Sequence, residues 1–158
     1  MNVTLDALDE RLVRALIDDG RASFDRLGER VGLSPSAVLR RVRRLEQQGV
    51  IRGYTARVAP ESLGAGLTAY LNVSLEKHVA GAKHSPAEAF HAAVLTWPEV
   101  IECAALTGEM DYLLQVAVRD MPHYARFITD TVLRHPSVRD CRSSFVIQRI
   151  KDAHQAAL

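Results

Sequence analysis

Leu5, Leu8, Leu12 and Leu16 recur at spacings of three, four and four among acids and arginines. One apolar stripe of that period predicts an amphipathic helix. Asp6 with Asp9 resembles a capping pair at its start, although Glu or Gln is the usual partner, and Gly20 is expected to close it. Ser23 opens a second, short helix, with Phe24, Leu27 and Val31 facing inward. Gly32-Leu33-Ser34-Pro35 follows: a turn glycine, an N-cap serine, and a proline at the first helical position, where its missing N–H costs nothing. The third helix is predicted from Pro35 to about Gln47, ending at Gly49, with Val38, Val42 and Leu45 as its buried side. A short second helix, a glycine turn and a small Gly28 where two helices approach are the grammar of a helix-turn-helix.

Val50–Ala59 reads as extended, and Pro60 to Gly66 as a linker with a short helical turn at most. From Leu67 the period changes to two. Leu67, Ala69, Leu71, Val73 and Leu75 alternate with Thr68, Tyr70, Asn72, Ser74 and Glu76, as in a half-buried strand. His78 to His84 is a loop. Ser85-Pro86-Ala87-Glu88 is a capping box that starts a helix ending near Trp97-Pro98. Val100–Thr107 and Tyr112–Val118 are strands joined by a hairpin, Gly108-Glu109-Met110-Asp111. Asp120 caps a helix with Tyr124, Phe127, Ile128 and Thr131 on one face, stopping before Pro136. Val138–Gln148 is the last strand. Strand, helix, strand, strand, helix, strand is the ferredoxin-like order. The expected fold class is therefore α+β: a helix-turn-helix domain over 1–50, an extended linker over 51–66, and a ferredoxin-like βαββαβ domain over 67–158. One sheet face is covered by helices; the other is half apolar and predicts a homodimer. Cys103 and Cys141 fall on strands at opposite edges, which argues against a disulfide between them.

The balance of charge sharpens the reading of the first domain. The chain has 158 residues and a net charge of only +1, yet residues 1–60 hold eleven Arg against eight acids. Between Ser34 and Pro60 six Arg face the single Glu46. A basic excess on one small module points to a polyanion. The third helix leaves Ser36, Ala37, Arg40, Arg41, Arg43 and Arg44 outside its apolar stripe, and a helix of that size fits a major groove about 12 Å wide. The same arginines also describe the solvated face of a plain three-helix bundle; the Gly-Leu-Ser-Pro turn in front of them tips the reading to DNA. The candidate DNA-binding residues are Ser34, Ser36, Ala37, Arg40, Arg41, Arg43 and Arg44. No run of eighteen apolar residues exists to cross a membrane, and an acidic start, MNVTLDALDE, predicts retention in the cytoplasm. The histidines His78, His84, His91, His123, His135 and His154 show no ligand spacing with either cysteine, so no metal site and no cofactor is expected. No Gly-rich phosphate loop follows a strand.

An ordered set of motifs then resembles one family. The stretches are Leu5-Asp6-x-x-Asp9, Gly20-Arg21-x-Ser23, Val31-Gly32-Leu33-Ser34, Val38-x-Arg40-Arg41-Val42-x-x-Leu45 and Gly49-Val50-Ile51-x-Gly53-Tyr54. Pro98-Glu99-Val100, Thr107-Gly108-x-x-Asp111-Tyr112 and Ser144-Phe145-Val146-x-x-x-Ile150-Lys151 complete it. They span nearly the whole chain, and the chain resembles the leucine-responsive and asparagine-responsive (Lrp/AsnC) regulators of bacteria and archaea. The length of the His78–Ser85 loop departs from the pattern.

The resemblance implies a transcription regulator that binds a pseudo-palindromic DNA operator through its first domain. It also implies a second domain that dimerises, assembles further into octamers, and senses an amino acid at the hairpin against a neighbouring subunit. On this chain the hairpin is Thr107 to Asp111. Gly108 would admit the effector carboxylate to backbone N–H groups, Glu109 or Asp111 would meet the ammonium, and Ser143 and Ser144 would add hydroxyls. Read without the resemblance, Gly108 and Asp111 are ordinary turn residues. Two other readings remain at this point: a DNA-organising protein without a ligand, and a decarboxylase of similar fold. The arginines gathered on the third helix speak against the decarboxylase.

Overall fold

A computed structural model describes residues 4–56, 58–78 and 84–151. The chain divides into two compact units, the first built on Met1–Arg57 and the second on Val58–Arg149.

In the first unit, α1 (Ala7–Asp18), α2 (Phe24–Val31) and α3 (Pro35–Gln47) close on one core of Leu12, Ala15, Leu27, Val31, Val38, Val42 and Leu45. Each helix starts where a short polar side chain takes the free N–H groups: Asp6, Ser23 and Ser34 accept from the third residue of their helices. The Asp6–Asp9 box is reciprocal, and Asp serves where Glu is usual. The end of α1 differs from expectation. Its cap is Asp19, whose N–H reaches the Ala15 carbonyl, and Gly20 does not take the left-handed conformation. Phe24 is exposed rather than inward, because it is the first residue of α2 and the stripe that reaches the core is Leu27, Gly28 and Val31. Between α2 and α3 the turn is tight. The N–H groups of Gly32 and Leu33 both donate to the Gly28 carbonyl, at 2.8 and 3.0 Å. Gly32 is left-handed at φ 76°, and a Cβ on Gly28 would lie 2.4 Å from the Leu33 carbonyl oxygen.

Pro60–Leu63 forms a 3-10 turn. The second unit then carries β1 (Leu67–Leu75), α4 (Pro86–Val94), β2 (Val100–Ala105), β3 (Tyr112–Val118), α5 (Met121–Arg126) running into a π-helical turn (Phe127–Val132), and β4 (Val138–Phe145). The sheet is antiparallel throughout, in the order β2-β3-β1-β4, which is the ferredoxin-like arrangement. Residues 79–83, within the loop read from His78 to His84, lie outside the described residues. Alternation on β3 is strict: Tyr112, Leu114, Val116 and Val118 are buried. With Ala69, Leu71 and Val73 of β1 they pack against Phe90 and Val94 of α4 and against Tyr124, Phe127 and Val132.

The helix after Asp120 is not uniform. Phe127 and Val132 are both buried although five residues apart, a spacing that would place them about 140° apart on a regular helix. The π turn, with the Leu133 N–H bonded to the Ile128 carbonyl at 2.9 Å, brings both onto the sheet side. β4 stops at Phe145 instead of Gln148, and Ile147 is fully exposed. Cys103 on β2 and Cys141 on β4 stand on opposite edges and are free thiols. Among the described residues, no helix is long and apolar enough to cross a membrane.

Candidate nucleic-acid interface and effector hairpin

Helix α3 turns its apolar stripe, Val38, Val42 and Leu45, into the core, and everything chemical about it lies on the remaining faces. At its start Ser34 Oγ accepts the Ala37 N–H at 3.3 Å and stands 3.2 Å from Ser36 Oγ. Ser34, Pro35 and Ser36 are exposed, and Ala37 is half-buried. One turn on, Arg40 is exposed, and Arg43 follows with Gln47 beyond it; Ser36, Leu39, Arg40, Arg43, Arg44 and Gln47 line a shallow groove along the helix.

The other two arginines are engaged inside the unit. Arg41 Nη1 donates to Asp6 Oδ2 and to Asp9 Oδ1, each at 2.7 Å, and Arg44 Nη2 donates to Asp9 Oδ2. The Arg41 guanidinium, with the Asp9 N–H, holds the Asp6 carboxyl below its usual range, and Asp6 and Asp9 in turn raise Arg41. Sequence spacing had placed Arg41 and Arg44 with the DNA-facing residues. In the structure α3 sets them against the start of α1, where two acids meet them. Asp9, which periodicity assigned only to a helix cap, is 1% exposed.

The hairpin between β2 and β3 is held at its base. The Leu106 N–H donates to the Asp111 carbonyl at 2.8 Å, and the Asp111 N–H to the Val73 carbonyl at 3.0 Å. Ser74 Oγ donates to Met110 Sδ at 3.4 Å. Asp111 Oδ2 accepts the Leu75 N–H at 2.7 Å, standing in for the backbone partner that β3 no longer offers past Tyr112. Asp111 was expected to meet a ligand ammonium; one of its oxygens already serves β1. Thr107, Gly108 and Glu109 are exposed, and Gly108 takes φ 125° with open space where a Cβ would be.

Ser143 and Ser144 are not brought to the hairpin of their own chain. Both are on β4, across β1 from β3, two or more residues down the ladder from the Val73–Cys141 pair at hairpin level. They also point to opposite faces. Ser143 is in register with buried Leu71 and accepts the Tyr124 hydroxyl proton; Ser144 is in register with Tyr70 on the open face. That open face carries Tyr70, Leu113, Ala104 and Ala117 among Thr68, Asn72, Gln115 and Glu102.

Comparison with known proteins agrees with both halves. Residues 5–46 match the AsnC-type helix-turn-helix domain, and residues 68–156 match the Lrp/AsnC ligand binding domain. The leucine-responsive regulatory protein of Salmonella typhimurium is 40% identical over 154 residues, covering 98% of this chain and 92% of its own length. The Bkd operon transcriptional regulator of Pseudomonas aeruginosa is 38% identical over 146 residues, covering 92% and 93%. Among solved structures, a transcriptional regulator of Neisseria meningitidis in complex with L-Met is 45% identical, with a TM-score of 0.88 over 94% of each chain. These relatives are transcription regulators, not enzymes, which removes the decarboxylase reading. With a capped, arginine-bearing third helix in its first unit and a ferredoxin-like second unit, matched by family models along most of its length, the chain belongs to the Lrp/AsnC family of transcription regulators.

Proposed function

We propose that this regulator reads a pseudo-palindromic operator as a homodimer and changes its assembly when an amino acid binds at the hairpin. The observation that carries the DNA half is α3 itself: an exposed, serine-capped N-terminus followed by Arg40 and Arg43, which have no acid partner among the described residues. Ser36, Ala37 and Arg40 are the candidates for base edges, and Ser34, Arg43 and the helix N-terminus for phosphate. Arg41 and Arg44 leave this set. A two-fold dimer presents two such helices, so half-site centres fall about 10 bp apart or at a multiple of that. A DNA partner supports a cytoplasmic location.

The open sheet face supports dimerisation, because its half-buried Tyr70 and Leu113 gain cover from a second copy; rings of dimers, up to octamers, are the further assembly we propose. At the hairpin, the backbone around Gly108 would take the effector carboxylate. Glu109 is an exposed acid for the ammonium, with Thr107 beside it. Asp111 holds the hairpin in place, and Ser143 and Ser144 reach such a site only from another subunit. The L-Met complex of the Neisseria relative and the leucine-responsive name of the Salmonella one make methionine and leucine the first ligands to test.

The experiment is footprinting of wild type and of Arg40→Ala/Arg43→Ala on promoter DNA, with calorimetric titration of L-Met and L-Leu. A dyad-symmetric footprint lost in the double variant supports the reading. An asymmetric footprint, or one that survives the double variant, refutes the DNA half; no heat with any amino acid across a full panel refutes the sensing half and leaves a DNA-organising protein.

A further inference from the structure

Asp9 is the most informative polar residue of the first unit. A carboxylate this deeply buried must be paired and hydrogen-bonded to persist, and Asp9 is met by the Asp6 N–H at 3.2 Å, by Arg41 and by Arg44. Arg41 and Arg44, three residues apart, share one side of α3. Arg40 and Arg43, also three apart, line the groove along α3; Arg44 borders the same groove, but its guanidinium is turned to Asp9. The acids Asp6 and Asp9 balance the charges of Arg41 and Arg44 one for one.

We propose that Asp9 is the positioning residue of the recognition helix: its buried carboxylate fixes the rotation of α3, so that Arg40 and Arg43 meet DNA while Arg41 and Arg44 do not. The proposal rests on the DNA-binding reading above. The apolar contacts of α3 are non-directional, and Val38, Val42 and Leu45 would tolerate a small roll of the helix against Leu12 and Leu27. A roll of 20° moves the surface of a helix of about 5–6 Å radius by about 2 Å, enough to break a hydrogen bond to a base edge. Three directional, charge-assisted bonds from α3, Arg41 to Asp6 and Asp9 and Arg44 to Asp9, remove that freedom. Fixing a unique arrangement, rather than adding stability, is the best-attested use of a buried ionic group.

The test uses the full-length protein, a duplex selected by it from a random-sequence pool, and a random-sequence duplex as competitor. Binding of each is measured across a salt series for wild type, Asp9→Asn, Arg41→Gln, Arg44→Gln and Arg43→Gln. Each phosphate contact adds about 0.9 to the slope of log affinity against log salt. Arg43→Gln is expected to flatten that slope by about this amount, and Arg41→Gln and Arg44→Gln to leave it unchanged. Asp9→Asn is expected to lower the ratio of selected to random binding by about tenfold or more, the size of one lost base readout. Simple loss of folded protein would weaken both duplexes equally and leave the ratio intact. A flatter slope in Arg41→Gln or Arg44→Gln overturns the proposal, and so does an unchanged ratio in Asp9→Asn. If circular dichroism shows Asp9→Asn unfolded, the slopes of the two arginine variants decide alone. Failure of the wild type to bind any duplex refutes the DNA-binding reading instead.

Discussion

Gly28→Ala probes the helix-turn-helix at its tightest point. The new Cβ would lie 2.4 Å from the Leu33 carbonyl oxygen, 3.5 Å from its carbon and 3.8 Å from the Pro35 nitrogen. An ordinary carbon–oxygen contact is about 3.3 Å, so backbone must move by roughly 0.9 Å. It cannot move freely, because the Gly32 and Leu33 N–H groups are both tied to the Gly28 carbonyl, and Ser34 immediately beyond caps α3. Overpacking costs about 1–3 kcal/mol, and an obstructing backbone atom puts this case at the upper end. Alanine returns about 1 kcal/mol of helix propensity. The net expectation is a loss of about 2 kcal/mol. In urea, with a slope of about 2 kcal/mol per molar, the midpoint of the first unit should fall by about 1 M, followed by helical ellipticity. Glu29→Ala, at the exposed neighbouring position, is the control and should stay within about 0.5 kcal/mol of wild type. A Gly28→Ala midpoint equal to or above that of wild type would mean that the turn yields and propensity wins, and the close-approach argument would be refuted.

Three further outcomes follow from the second unit. His135 is held below its ordinary value of 6.5 by burial beside Phe90 and Trp97, and its Nδ1 accepts the Ser137 N–H. The unfolded chain thus binds this proton more readily, so its contribution is complete above pH 6.5 and lost as pH falls toward its folded value; His135→Gln should flatten urea stability between pH 7 and 5, and an unchanged pH profile would contradict this. Asp111→Ala removes the acceptor of the Leu75 N–H and should cost about 1–2 kcal/mol in urea unfolding, whereas Glu109→Ala should cost nothing there and weaken amino-acid binding in calorimetry. Leu113→Arg on the open sheet face should shift the protein to monomers in analytical ultracentrifugation; dimers persisting at micromolar concentration would remove that face as the interface.

Elements with a strong local period were legible from sequence: the leucines of α1, the Ser-x-x-Glu box before α4, and the alternation on β1 and β3 each fix a face by spacing alone. What stayed hidden depends on partners distant in the chain. Arg41 and Arg44 meet Asp9 across 32 and 35 residues, and no pattern local to α3 separates them from Arg40 and Arg43. The signal was present at Asp9, an acid on the stripe side of α1 between Leu8 and Leu12, where an interior position calls for a cation to pair with it. Asp111 was read as a turn residue and a ligand group; that its carboxylate extends the β1 ladder follows only from the register of β1 with β3. The open conformation at Gly108, by contrast, is what a glycine in a hairpin implies.

The π turn in the second helix of the sheet domain carries a consequence for sequence change. Phe127 and Val132 sit five apart where helical geometry wants four, so the segment accommodates one residue more than a regular helix over the same span. A length variant is normally ruinous inside a helix, since every later side chain rotates by about 100°. Here the excess residue is absorbed within a single turn, and Val138 still pairs with Leu75, across a register shift between Ser74 and Leu75. Deleting exposed Thr129 should therefore relax the turn to α-helix and leave both flanking faces in phase. This makes residues 128–131 a place within the protein's core architecture where insertion and deletion can be tolerated, and where homologues can differ in length without differing in fold.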